Sequence, residues 1–191
     1  MAHKPNSARG DWEKQVRFDM AFAERMLLKQ GDVGRMFVMH AKDAQHVMAA
    51  PWKGNDEKAR ILTMVRAYCI AYDAEALSFI SEAWIRHLDR APGETEAEFR
   101  ARSNAIRPSE AEDRREVVMV VIMYRDAAGE RQIVSDTREI TRRDNGKPDG
   151  LTPYRMNEGM DMLSGGIIET FPRWPASPEQ RDLARIALGI R

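Results

Sequence analysis

His40 and His46 are the first residues whose type and spacing suggest chemistry, because they flank a polar break at Lys42, Asp43 and Ala44. If the two flanks pair as a hairpin, the imidazoles become near cross-strand neighbours, and two imidazoles on one face can share a metal ion. Glu82 is the acidic residue expected on a regular strand near the core, and Asp89 is a further carboxylate. His40, His46 and Glu82 together would make a three-ligand site with an open position for water, the arrangement of a metal-dependent hydrolase. No HExxH helix motif accompanies them. The plainer reading is two histidines beside a turn, one packed and one wet. For Glu82 it is an ion pair with Arg114 or another neighbour.

Other chemistry finds less to stand on. Cys69 is the only cysteine and falls mid-helix, with Arg66 the one basic residue a turn away, so it reads as a buried, inert thiol. Ser164 before Gly165 and Gly166 is not a GxSxG elbow, and neither GxxxxGK[ST] nor GxGxxG occurs. No catalytic residue is assigned, and nothing calls for a cofactor. Lys plus Arg and Asp plus Glu are 30 each, which argues against general nucleic-acid binding. Arg138, Arg142, Arg143 and Lys147 are interrupted by Asp136, Glu139 and Asp144 and read as a charged strand edge. No apolar run reaches the ~20 residues of a membrane span, and one cysteine suits a reducing cytoplasm.

The elements that must position these residues follow from periodicity. Val117 to Tyr124, VVMVVIMY, is short, uncharged and β-branched, and so predicts a central strand covered on both faces. Asp11 caps a helix to about Gln30 with Val16, Met20, Ala23 and Leu27 on one face, and Gly31 ends it. Residues 35–52 read as a β-hairpin stopped by Pro51. Asn55 caps a second helix to about Tyr72, with Ile61, Val65, Tyr68 and Tyr72 as its stripe. Residues 76–86 alternate with period two, placing Ser78, Ile80, Glu82, Trp84 and Arg86 on one face. Residues 87–115 form a charged insertion, in which Thr95 and Glu98 mark a short helix by their capping box. After the central strand, residues 127–129 turn the chain into an antiparallel partner over 132–141. Residues 144–150 read as a cluster of turns. Met156, Met160 and Leu163 suit a short helical face, and Ile167 to Phe171 a short strand. Ser177, Pro178 and Gln180 open a last helix with Leu183, Ile186, Ala187 and Ile190 on its apolar side.

The fold expected is α+β: an antiparallel sheet of about five strands in α-β-β-α-β-β-β order, with helices packed on one face and a C-terminal helix. That order resembles roadblock and profilin-like sandwiches, and PAS-like ones, which implies a sheet covered by helices on one side and no activity. The strings Glu82-Ala83-Trp84, Pro108-Ser109-Glu110 and Asp113-Arg114-Arg115-Glu116-Val117-Val118 resemble a pattern in bacterial and phage-associated proteins, and this too implies no activity. Residues 1–10 read as a flexible terminus, 11–172 as one domain and 173–191 as a helical tail.

The function expected is protein interaction or regulation without catalysis, with a protein partner or self-association. Trp84, Ile80 and Arg86 on the mixed face are the leading anchors, since Trp and Arg are the usual ones. Trp52 and Trp174, each beside a proline, are the others. A sheet covered on one side would leave its second face free for dimerisation. The alternatives are the hydrolase built on His40, His46 and Glu82, and a small-ligand sensor with a cavity beneath the sheet.

Overall fold

Branched apolar side chains over Val117 to Met123 favour extended backbone and need cover on both sides. In the computed structural model, which describes residues 11–86, 88–154 and 167–190, all of Val117 to Met123 are buried. They form the middle of β4 (Arg115–Arg125). Around it stand β1 (Met36–His40), β2 (Gln45–Ala49), β3 (Ala76–Ile85), β5 (Arg131–Arg142) and β6 (Pro148–Pro153). The sheet order is β2-β1-β3-β4-β5-β6, and every pairing is antiparallel. The protein is thus α+β, with a sheet of six strands among the described residues.

Two helical layers cover the sheet, one on each face. Helix α1 (Trp12–Gln30) lays Val16, Met20, Ala23 and Leu27 over Met36, Val38, Ile80, Val118, Val120 and Ile122. Helix α2 (Asn55–Ala71) covers the opposite side, where Val65 and Cys69 meet Phe37, Leu77, Phe79, Val121 and Met123. Helices on both sides, rather than one, follow from β4: Val118, Val120 and Ile122 on one face and Met119, Val121 and Met123 on the other both need burial, and a single layer covers only alternate residues. The second sheet face is therefore not open for dimerisation.

Local signals explain most boundaries. The Asp11 carboxylate accepts from the Lys14 amide at 3.0 Å, and Gly31 closes α1 at φ 91° with its amide on the Leu27 carbonyl. Helix α3 (Glu96–Ala105) carries the expected capping box of Thr95 and Glu98. Helix α5 (Pro178–Leu188) carries that of Ser177 and Gln180.

Three expectations are corrected. Asn55 is the first residue of α2 rather than its cap; Gly54 holds the cap position, and the Glu57 carboxylate reaches back to the Lys53 amide at 2.8 Å. The turn cluster continues into β6, which pairs with the outer side of β5 and takes prolines because it is an edge strand. Helix α1 steadies that edge, since the Glu24 carboxylate accepts from the Leu151 amide at 3.2 Å. Ile167–Thr170 is a single helical turn, α4, rather than a strand. Met156, Met160, Leu163, Ser164, Gly165, Gly166, His3, His87 and the terminus 1–10 lie outside the described residues. Among the described residues, no helix is long and apolar enough to cross a membrane.

Candidate interaction surface

The residues read as metal ligands are not brought together. In the β1–β2 register Met39 faces His46 and His40 faces Gln45. The two histidines therefore point to opposite faces of the sheet. His46 stacks on Tyr72 of the α2 layer, ring centroids 4.1 Å apart. His40 is buried under α1 with Trp12 edge-on at 5.5 Å. Glu82 shares the α1 face with His40, but His40 pairs with Ala76, so six residues of strand, roughly 20 Å, lie between them. The Glu82 carboxylate accepts from the Val33 amide, while burial and the nearby Glu116 and Asp32 push its proton affinity up. Among the described residues no group of three His, Cys, Asp or Glu side chains could hold a metal.

His40 belongs instead to a buried polar chain that joins α1 to the sheet. The Ser78 hydroxyl donates to the Asp19 carboxylate at 2.7 Å and stands 2.8 Å from the His40 Nε2. Gln15 donates to the other Asp19 oxygen at 2.7 Å, and the Gln45 amide lies 3.0 Å from the His40 Nδ1. The one hydroxyl proton goes to Asp19, so Ser78 accepts from the Nε2–H of a neutral His40 whose Nδ1 accepts from Gln45. Burial pushes the imidazole down to about 4 and the Asp19 carboxyl up. Hydrolytic triads place histidine between serine and carboxylate. Here serine stands between the other two and is fully buried, so the set is structural. Sequence reasoning missed it: Asp19 and Ser78 are 59 residues apart.

Cys69 is buried against the sheet, and burial pushes its thiol up to about 12. Of the expected anchors, Ile80 is fully buried beneath α1 and cannot meet a partner. Trp52 packs at the edge of the α2 core, stacked on Phe79 at 6.1 Å and covered by the Arg35 guanidinium at 5.2 Å. Arg86 is mostly covered and faces Asp113 at 3.6 Å. Trp84 is 42% exposed, with the Arg114 guanidinium 5.2 Å from its ring. Arg114 therefore serves Trp84 rather than Glu82.

Trp174 leads to the larger feature. Three arginines fix the chain that reaches it. Arg125 stacks on Phe171 at 4.6 Å and donates to the carbonyls of Ala74, Pro172 and Trp174 at 3.0, 3.1 and 3.2 Å. Arg131 donates to the Ile168 carbonyl at 2.9 Å and pairs with Glu169 at 3.1 Å, and Arg66 donates to the Glu169 carbonyl at 2.6 Å. Cations gathered where a helical turn exposes its last carbonyls are a favourable arrangement.

Helix α5 then lies beside α2, held by polar contacts. Arg181 pairs with Asp73 at 2.6 Å, and the Arg185 Nε donates to the Ala71 carbonyl at 3.0 Å. No residue of α5 is buried. Its apolar side, which should seek a core, faces outward: Leu183 is 66% exposed and Ile186 75%. Between α5 and α2 runs a groove of about 380 Å³, lined by Arg66, Ala67 and Ile70 of α2, by Leu183 and Ala184 of α5, and by Trp174 of the chain that joins α4 to α5. Trp174 is 57% exposed at its rim. Aromatic and aliphatic groups here border a groove with charged rims, and part of that apolar surface stays in water. The small-ligand reading wants a cavity beneath the sheet, whereas this groove lies outside it, between helices. No protein-family model, curated protein or solved structure matches this chain.

Proposed function

We propose that the chain is a protein-interaction or regulatory protein without catalysis, and that partners dock on the outward face of α5 and the adjoining groove. The observation that carries this is the exposure of Leu183 and Ile186 on a well-capped helix. Water in contact with those side chains costs about 25 cal/mol per Å² relative to burial, which a docked surface recovers. The rigid seat built by Arg125, Arg131 and Arg66 limits the ordering that binding would otherwise require. The balanced charge argues for a protein partner over nucleic acid. The lone thiol, buried, fits a cytoplasmic setting.

The test compares partner capture by the wild type and by a Leu183→Asp, Ile186→Asp double variant. Both sites are exposed, so the substitutions should leave the melting temperature nearly unchanged. The expected result is loss of the captured partners from the variant. An identical partner set from both proteins would remove the docking role.

A further inference from the structure

We infer that the occupant of this surface is a second copy of the same chain, paired about a two-fold axis that runs along the groove. The inference rests on the docking role proposed above and concerns which partner fills it.

The argument lies in the order of chemistry across the surface. One bank is basic: Arg66 on α2 and Arg173 beside Trp174, both exposed. Glu169 on that bank is already engaged by Arg131. The middle is apolar, with Ile70, Trp174 and Leu183. The far bank is acidic. At about 100° per residue, Glu179, Ile186 and Asp182 follow Leu183 at roughly 40°, 60° and 100° around α5, away from the groove-lining Gln180 and Ala184. Glu179 and Asp182 are exposed; Arg185 of the same helix stands 4.0 Å from the Asp182 carboxylate, which still keeps 72% of its side chain in water.

A surface that runs basic, apolar, acidic can complement itself. Rotation by a half-turn about an axis parallel to the banks lays the acidic bank of one protomer on the basic bank of the other. It also sets the Leu183 and Ile186 side of each α5 over the groove of its partner. Rotation about an axis across the banks instead sets acid on acid and base on base, which is repulsive. The charge layout thus selects one of the two ways the helices can meet, with the α5 helices parallel. Shared apolar burial supplies the attraction, and the banks fix the orientation.

Sedimentation equilibrium of the purified full chain between ~1 and ~100 µM tests this, a range that resolves micromolar association. The expected result is a dimer at the upper end. Asp182→Arg and Arg173→Glu should each weaken it by ~10-fold or more, through like-charge contact. An equimolar mixture of the two variants should restore the dimer. Far-UV circular dichroism and melting temperature report whether each variant stays folded. A wild type that stays monomeric throughout overturns the inference, and so does a dimer that neither charge reversal weakens. If the protein is monomeric but Leu183→Asp, Ile186→Asp still abolishes partner capture, the docking role stands with another occupant. If capture is also unchanged, both readings fall.

Discussion

The hydroxyl of Ser78 stands between His40 and Asp19, 2.8 Å from the imidazole Nε2 and 2.7 Å from a carboxylate oxygen. This contact ties β3 to both β1 and α1 where all three are dry. Ser78→Ala removes the shared partner and leaves two buried polar groups each short of a hydrogen bond. The expected cost is about 1–3 kcal/mol in urea unfolding at pH 7. A variant as stable as the wild type would show that the chain of contacts contributes little.

The same chain gives stability a pH dependence. The folded imidazole is pushed down to about 4 by burial, against 6.5 unfolded. Between those values the unfolded chain takes up a proton that the fold refuses. Stability therefore falls as pH drops from 6.5 towards 4, by about 3 kcal/mol at most. Asp19 acts in the opposite sense. Its carboxyl is raised by burial above 3.8, so the fold holds that proton more tightly, and its contribution is lost as pH rises above 3.8. His40→Gln removes only the first effect. Urea midpoints measured from pH 4 to 7 should slope less in this variant than in the wild type. Equal slopes would rule out His40 as the source.

Physical reasons separate what the residues disclosed from what they did not. The β4 run could be read because its apolar, β-branched side chains fit only a strand covered on both sides. The β6 strand could not. Pro148, Gly150 and Pro153 are turn formers by themselves, and only the open edge of β5 makes them pair. Ile80 looked like an interface anchor because Glu82 and Trp84 share its face, but α1 covers that face as far as Ile80 and leaves Trp84 exposed. The His40–His46 pair failed on register: a one-residue offset across the hairpin sends the two rings to opposite sides. The apolar stripe of α5 was legible as a stripe. Whether it turns inward or outward is set by Arg181 on Asp73 and Arg185 on Ala71, contacts more than a hundred residues apart in sequence.

Arg125 should govern the order of the C-terminal segment. Its guanidinium serves the carbonyls of Ala74, Pro172 and Trp174 and covers the Phe171 ring. Arg125→Ala leaves those carbonyls without their cation and should cost about 1.5–3 kcal/mol, the range for hydrogen bonds to charged groups. Arg125→Lys should recover only part, because an ammonium lacks the planar fork. Hydrogen exchange read by mass spectrometry should show faster exchange over 167–190 in both variants, with β4 amides little changed. Unaltered exchange in that segment would mean that α5 is seated by other contacts.

Cys69 should be silent in the native protein. The thiol is packed against the sheet and pushed up to about 12, so almost no thiolate forms near neutral pH. Iodoacetamide at pH 8 should leave the folded chain unlabelled and add one group once urea unfolds it, because Cys69 is the single cysteine. Labelling of the folded protein at the rate of a free thiol would place Cys69 near solvent and contradict the α2 packing.

Helix α3 depends on its ends, because none of its residues is buried. The Thr95 hydroxyl accepts from the Glu98 amide at 3.3 Å, and the Glu98 carboxylate accepts from the Thr95 amide at 2.8 Å. Just upstream, the Arg102 guanidinium and the Ala91 amide hold the Glu94 carboxyl down to about 2. Thr95→Ala removes the cap, and exchange of the amides over 97–105 should quicken by ~5-fold, as the loss of a capping contact implies. The global melting temperature should stay nearly constant, since α3 makes no contribution to either core cluster. Acid should act on the same element. The Glu94 contact is fully present above pH 4.5 and is lost as pH falls from there towards 2, so exchange over α3 corrected for intrinsic rates should rise across that window. If Thr95→Ala and acid leave the α3 amides as protected as before, the helix is held by something other than its termini.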